Sequence, residues 1–508
     1  MPTITKEQER AVASQSGSGG STEAPISRRW LVLAVVAIAQ LMVVFDVTIV
    51  NIALPSAQQA LGFASTDRQW IITAYALAFG SLLLLGGRVG DLFGRKRAFI
   101  IGLAGFAVAS AVGGGAGSFA VLVSARAVQG VFAALLAPTA LSVLATTFTD
   151  SDDRGKAYGI FGAVATGGSA VGLILGGVLT EDLSWRYCLY VNLVFAAVAV
   201  IGALIWLDNG ATKRSPIDIP GTVLAFAGLF AIVYGFSHAA TSSWTSPLTL
   251  GAVAGGGVIL LIGFVGVQQR VAHPLLPLRV ILDRNRGGSY VSVAVSAAAI
   301  FAVFLFLTYY LQQVKGYSPI VTGLAFLPLT AATVTASVIS NVTLLPRFGP
   351  RPLVATGMAL GAIGMFLLSR VGVDAGYLGS ILVPLIVLGL GFGFTFGPAI
   401  NAATARVAPG DAGVASGLVN TMQQVGGSIG TALLSTLAAG ATTSYLSSHH
   451  TNAPATAAVA AVAAVHGYQL AYLISCGIFL VGAVLAATLL TGRPTPEPPH
   501  QSADDSAD

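Results

Sequence analysis

Two ionisable residues, Asp46 and Arg126, stand deep inside long apolar runs of this 508-residue chain. A charge at the centre of a bilayer costs about 2.5–3.5 kcal/mol even on insertion scales, so it persists only beside a cavity or a partner. Such a residue marks a functional site by default. For Asp46 the alternative is a helix-end residue wetted from outside the membrane. For Arg126 the alternative is a structural salt bridge or a guanidinium that caps backbone carbonyls. Buried ion pairs are poor stabilisers, which weighs against a purely structural pair. Gln129 lies three residues beyond Arg126, so the two share one helix face. Burial disfavours the charged form of a carboxyl, so an acid in apolar surroundings can hold a proton near neutral pH.

A second group of residues is the stretch Gly87-Arg-Val-Gly-Asp-Leu-Phe-Gly-Arg-Lys-Arg97, with five charges in eleven residues between apolar runs. Gly87, Gly90 and Gly94 let backbones turn or approach closely. Asp91 stands where a helix begins or ends and can hydrogen-bond a neighbouring helix terminus. Arg95, Lys96 and Arg97 mark the cytoplasmic side. A loop that only set topology would need no fixed spacing of Gly and Asp. Further along, Asn420 and Gln424 are four apart on one helix face, where polar groups either join helices or line a cavity. Tyr75 adds an aromatic face, and aromatic rings with one acid suit lipophilic cations. Tyr75, Gln129, Asn420 and Gln424 are therefore the candidate lining of a substrate cavity. Gly168, Gly172 and Gly176 recur every four residues and, with Gly177, make a close helix-packing face.

The elements that position these groups follow from composition. The chain is 55% hydrophobic and 9% charged, whereas a soluble domain is about one quarter charged. It is an all-α polytopic membrane protein with no room for a large soluble domain. The net charge of +5 is no sign of a nucleic-acid partner, because the bases are used for topology. Cys188 and Cys476 lie in or beside apolar runs as inert small hydrophobes. His238, His273, His449, His450 and His466 fall in expected loops or at span ends, without metal-ligand spacing. No phosphate-binding glycine loop of the Walker type occurs. Nothing points to an enzyme, a metal or a cofactor.

Runs of about 20 apolar residues place fourteen spans near 30–52, 69–88, 98–116, 119–146, 157–180, 186–207, 218–238, 246–266, 288–311, 319–345, 352–372, 376–400, 411–438 and 467–491. With a cytoplasmic N-terminus, 20 of the 25 Lys and Arg fall inside, four outside (Arg68, Arg186, Lys315, Arg370) and Arg126 within a span. That bias supports the count and puts both termini in the cytoplasm. Gly94 has a counterpart in Gly349, 255 residues on, and Pro138 in Pro398, 260 residues on. The shared offset argues for two six-helix halves with spans 7 and 8 inserted between them. The expected division is a disordered tail at 1–29, a six-helix bundle at 30–207, two inserted helices with linkers at 208–287, a second bundle at 288–491 and a disordered tail at 492–508.

Several of these motifs resemble those of one family. Gly87, Asp91, Gly94 and Arg95-Lys96-Arg97 match the loop between helices 2 and 3 of the major facilitator superfamily, with Leu92 where the family usually has a base. Phe45-Asp-Val-Thr-Ile-Val-Asn-Ile-Ala-Leu-Pro55 resembles the first-span motif of the fourteen-span drug/proton antiporters of the EmrB and QacA kind, matching at Asp46, Thr48, Asn51, Ala53 and Pro55. Arg126-Ala-Val-Gln-Gly130 matches the fourth-span motif. Gly168-Ser-Ala-Val-Gly-Leu-Ile-Leu-Gly-Gly177 looks like the exporters' span 5 motif with Leu173 in place of its proline. Trp185-Arg-Tyr with Asn192 resembles the start of span 6 in part, and Asp218 with Gly221 fits the opening of the inserted pair. Tyr310 to Pro319, and Gly413 to Gly427, resemble the span 9–10 junction and span 13.

The resemblance implies the major facilitator fold of two six-helix bundles plus two inserted helices, alternating access around a central cavity, and a cytoplasmic gate latched by the Gly87–Arg97 loop. It implies proton-coupled efflux of small toxic amphipathic or cationic compounds across a bacterial cell membrane, by a monomer. Asp46 and Arg126 would carry proton coupling, because a nearby cation lowers a carboxylate's proton affinity and burial raises it. The alternatives are a dedicated exporter of one metabolite or self-made antibiotic, a proton-coupled importer, or a sensor without turnover. The first-span motif and the glycine stripe favour export. With the fourteen-span orientation, cysteines introduced as Thr3→Cys and His450→Cys should be labelled from opposite sides of the membrane. Labelling of both from one side would refute it.

Overall fold

The computed structural model describes residues 26–148, 150–208, 218–239, 242–272, 274–404, 407, 412–449 and 457–491. The expected disordered tail at 1–29 is helical from Ile26 on, while residues 1–25, the tail at 492–508, His273, His450 and the Asp91 side chain lie outside the described residues. Among the described residues fourteen helices are long and apolar enough to cross a membrane, and no strand occurs. They are α1 (Arg28–Leu61), α2 (Gln69–Gly90), α3 (Arg95–Gly114), α4 (Phe119–Thr147), α5 (Ile160–Leu183), α6 (Tyr187–Trp206), α7 (Ile219–Ala239), α8 (Pro247–Gln268), α9 (Arg284–Val314), α10 (Pro319–Phe348), α11 (Pro350–Leu368), α12 (Leu378–Thr404), α13 (Val414–Ser448) and α14 (Ala458–Leu489). Several outrun their apolar cores. The first helix continues through Pro55 to Leu61, and α13 continues to Ser448. Residues 439–448, rich in Ala, Ser and Thr, are too polar to read as bilayer core but sustain a helix. His466, expected near a span end, lies inside α14 with its ring 5.2 Å from Tyr445.

Local chemistry sets the helix starts. Ser118 accepts from the backbone N–H of Val121 at 3.4 Å, and Asp283 accepts from Arg286 at 2.9 Å. Ser318 caps α10 ahead of Pro319, and Ser246 caps α8 ahead of Pro247. Each supplies an acceptor to a donor that the first turn cannot satisfy. Between α2 and α3 a single residue, Gly94, is non-helical, with φ 89°. Between α10 and α11 the same job falls to Gly349, with φ 74°. Only glycine adopts such angles without a steric cost.

The fold repeats. The pairs α1–α5, α1–α6, α2–α4, α3–α4 and α3–α6 pack together, and so do α9–α13, α9–α14, α10–α12, α11–α12 and α11–α14. Adding eight to each helix number converts the first set into the second. Two six-helix bundles, α1–α6 and α9–α14, are thus built on one plan, with α7 and α8 as the extra pair. Pro138 and Pro398 sit inside the equivalent helices α4 and α12. Gly62 and Gly316, the two other glycines with positive φ, follow α1 and α9.

The inserted pair closes on itself and lies over the seam between the bundles. Asp218, 6% exposed, accepts from the Gly221 N–H at 2.8 Å and from Gln268 Nε2 at 2.5 Å, while Gln268 Oε1 accepts from the Leu276 N–H at 2.8 Å. From α7, Ser237 accepts from Gln69 of α2 at 3.0 Å, and the Phe236 carbonyl accepts from Thr436 of α13 at 2.7 Å. Leu77, Val233 and Ala432 form a small core where α2, α7 and α13 meet.

The bundles touch directly through α2–α13 and α5–α10, a pair of contacts that the repeat exchanges. At the end away from the Gly94 and Gly349 loops the contact is close. An ideal Cβ on Gly177 would stand 2.6 Å from the Ile320 Cα, and one on Gly323 would stand 2.4 Å from the Leu173 carbonyl oxygen. Glu181 accepts from the Ile320 N–H at 3.1 Å, and Gln312 donates to the Ile52 carbonyl at 3.0 Å. This end of the molecule is closed. The atoms that a side chain on residue 177 would strike are backbone, so no rotamer change relieves them. Gly177→Val should therefore hold α5 and α10 apart. Spin labels at positions 182 and 317 should report a longer distance than in Gly167→Val, whose Cβ meets open space. Equal distances in the two variants would refute the crossing.

Candidate functional site

Asp46 lies near the middle of α1 and is 0% exposed. The helix-end, water-wetted alternative is thereby removed. Its carboxylate is enclosed by donors from two other helices. Arg126 Nη1 on α4 forms a salt bridge with Oδ2. Gln129 Nε2, one turn along the same face of α4, donates to Oδ1 at 2.9 Å. Asn192 Nδ2 on α6 donates to Oδ1 at 3.0 Å. Ser110 Oγ on α3 accepts from Gln129 at 2.7 Å and from Asn192 at 3.4 Å. Arg126 also gives Nη1 to Gln129 Oε1 at 3.0 Å and Nε to the Ile71 carbonyl at 3.2 Å. Its guanidinium lies 4.4 Å from the centre of the Tyr75 ring, within cation–π range.

Every hydrogen-bond partner of the Asp46 carboxylate is a donor, one on Oδ2 and two on Oδ1, a set that suits an acceptor-only group. Two charges taken out of water need such saturation by hydrogen bonds to persist. A void of ≈ 10 Å³, about the size of one water, also borders Arg126 and is otherwise lined by apolar side chains and Cys188.

The sequence brings Asp46, Arg126 and Gln129 to one point, as their positions on α1 and α4 require. It gave no warning of Ser110, a small hydroxyl in an apolar run. Asn192 carried only a partial motif match, yet it is 0% exposed and bonded to Asp46. Gln129 is a member of this network, with both its amide nitrogen and its oxygen in use. Tyr75 is 1% exposed with an unpartnered hydroxyl. Asn420 and Gln424 are half-buried on α13. Gln424 has an unpartnered Oε1, and its Cβ packs where α13 crosses Gly80 of α2. Among the described residues no group of three His, Cys, Asp or Glu is placed to hold a metal.

The glycine stripe divides its work. Gly168, Gly172 and Gly176 face Leu41, Thr48 and Ile49 of α1, while Gly177 faces α10 of the other bundle. The expected loop at 87–97 is helix except at Gly94; Gly87 and Gly90 lie in the last turns of that helix and face Pro138 and Thr139 of α4. Lys96 Nζ donates to the carbonyls of Leu204 and Leu207 at 2.9 and 2.7 Å, capping the end of α6. Arg95 is half-buried and Arg97 exposed.

The family model of the Major Facilitator Superfamily matches residues 36–431. A puromycin resistance protein of Streptomyces alboniger is 49% identical over 474 residues, covering 93% of each chain. A cephamycin export protein of Amycolatopsis lactamdurans is 38% identical, covering 87% of this chain and 92% of the relative. The crystal structure of a bacterial homolog of the human lysosomal transporter Spinster superposes with a TM-score of 0.63 at 15% identity, covering 91% and 97% of the two chains.

Removing one member of a buried ion pair strands the other, at a cost of about 3–5 kcal/mol. Arg126→Leu should therefore melt well below the parent protein in detergent. The double variant Asp46→Asn with Arg126→Leu should recover part of the loss. Additive losses in the double variant would show that the two groups are not coupled.

Proposed function

The chain belongs to the Major Facilitator Superfamily, and from that membership we propose that it exports small toxic compounds, amphipathic or cationic, across the bacterial cytoplasmic membrane in exchange for protons. It is a transporter, not an enzyme. Relatives named for puromycin resistance and cephamycin export support efflux. They also favour a narrow form of it, in which an antibiotic-like compound is the main cargo. The two six-helix bundles of the fold are the bodies that rock, at residues 30–207 and 288–491, with the inserted pair in 208–287 between them. We assign the basic-loop end to the cytoplasm by the excess of Lys and Arg there. The closed end, with Gly177 against Ile320, then faces outside. The chain works as a monomer, and Asn420 and Gln424, with the Tyr75 ring, contact the cargo. The Gly87–Arg97 loop, with Asp91, latches the cytoplasmic gate.

One observation supports the coupling: the Asp46 carboxylate is held by three donors, Arg126 among them, while the Gly177–Ile320 end is closed. A proton on Asp46 and the Arg126 pair exclude one another. Opening to the outside separates them and lets Asp46 load a proton. Returning to the outward-closed state restores Arg126 to the carboxylate and drives the proton off. Cargo and proton need share no atoms, since each need only favour a different state. Asp46→Asn keeps the amide contacts but cannot titrate. It should insert normally and fail at efflux driven by a pH gradient, while counterflow exchange of cargo survives. Full-rate pumping by Asp46→Asn against a cargo gradient would place coupling elsewhere, with Glu181 and Asp182 at the outer end of α5 the next acids to test.

A further inference from the structure

Arg68 is a buried cation without an anion. It immediately precedes α2, is 8% exposed, and has no carboxylate partner among the described residues. Its guanidinium lies 4.1 Å from the centre of the Tyr309 ring and 5.6 Å from that of Tyr468. Nη1 donates to Tyr468 Oη at 3.4 Å. Phe306 stacks on Tyr468 at 5.5 Å and meets Tyr472 edge-on at 6.2 Å. Tyr309 and Tyr472 are 0% and 3% exposed. All four rings belong to α9 and α14 of the second bundle; Arg68 belongs to the first.

We propose that the Tyr309 and Tyr468 rings form a cation-binding cage for the exported compound, and that Arg68 fills the cage as a tethered stand-in while the outer end is closed. The ligand class is a quaternary ammonium or guanidinium group on an apolar body. The proposal rests on the alternating-access reading above and names a site within it.

Burying a charge without an opposite charge is costly, and ring faces return only about 0.5–2 kcal/mol per contact. A contact needed only to shut this end could be apolar, as at Gly177 and Ile320, or could use an acid on a helix start, as at Glu181. Instead the second bundle presents the faces of Tyr309 and Tyr468 and the Tyr468 hydroxyl, a lining that suits a small cation. Arg68 and the rings sit on different bundles, so opening this end must pull the guanidinium out. The cage then stands empty on the side where export finishes. A cation leaving the central cavity can rest there, and reclosure brings Arg68 back to displace it. A tethered competitor acts at an effective concentration of about millimolar or more, so release becomes part of closing.

The test is binding of tetraethylammonium to purified protein by calorimetry, with no gradient and no transport. Arg68→Ala vacates the cage and should bind the probe about tenfold tighter than the parent, the size of one desolvated cation–ring contact. Arg68→Lys keeps a tethered cation and should bind like the parent. Adding Tyr309→Leu to Arg68→Ala should abolish the gain, and a neutral, similarly branched alkanol should show none. Should Arg68→Ala elute as aggregate, Arg68→Gln vacates the charge with less loss of packing. No gain in either variant, or a gain that survives Tyr309→Leu, overturns the cage. Cation efflux in vesicles is scored separately. Its loss with cage binding intact would count against the transport reading, and its presence without cage binding would count against the cage alone.

Discussion

A carboxylate at the centre of a bilayer has to be answered by donors, and that requirement organises the first bundle. Asp46 on α1 is met by Arg126 and Gln129 from α4 and by Asn192 from α6, with Ser110 of α3 completing the ring. Four of the six helices are joined at one buried point. Arg126 is held from its other sides by the Ile71 carbonyl and the Tyr75 ring, which adds α2. Such a network rigidifies only when complete, because a half-satisfied one costs more than an apolar core.

The surrounding helices can approach closely enough to build that ring because glycine lines their crossings. Gly130 brings α4 against the backbone of Tyr75, where an ideal Cβ would stand 2.4 Å from the carbonyl oxygen, and Gly172 makes room for Thr48. In lipid, where apolar side chains gain little by leaving their surroundings, close backbone packing is a main source of helix association. The second bundle uses the same device in the equivalent place. Gly389 and Gly393 of α12 meet the backbone of Leu329 and Thr333 in α10. Repetition of the packing plan, not of the polar ring, is what the two bundles share. The ionic site belongs to the first bundle alone, and the caged arginine depends on both.

Much of this was legible in the chain. Long apolar runs and the Lys/Arg bias are strong signals, because the bilayer permits few alternatives to a helix. Gly94 with Gly349, and Pro138 with Pro398, predicted the repeat that the helix pairings display. Asp46 and Arg126 stood out because charge is rare in a span. Ser110 did not, since a lone serine in an apolar helix is common and becomes informative only beside its partners. Helix ends ran past the apolar runs wherever Ala, Ser and Thr prolonged them. Arg68 reads in the sequence as one of four bases that fall outside. Its burial depends on Tyr309 and Tyr468, some 240 and 400 residues away, and no local pattern encodes that.

The molecule thus buries two arginines on opposite principles. Arg126 has an anion, several hydrogen bonds and a ring face, all supplied by its own bundle. Arg68 has ring faces and one long hydrogen bond, supplied by the other bundle. Ring contacts of this kind are weaker than a hydrogen-bonded ion pair. The two arginine sites differ in where each stands, one inside a bundle and one across the boundary between the two.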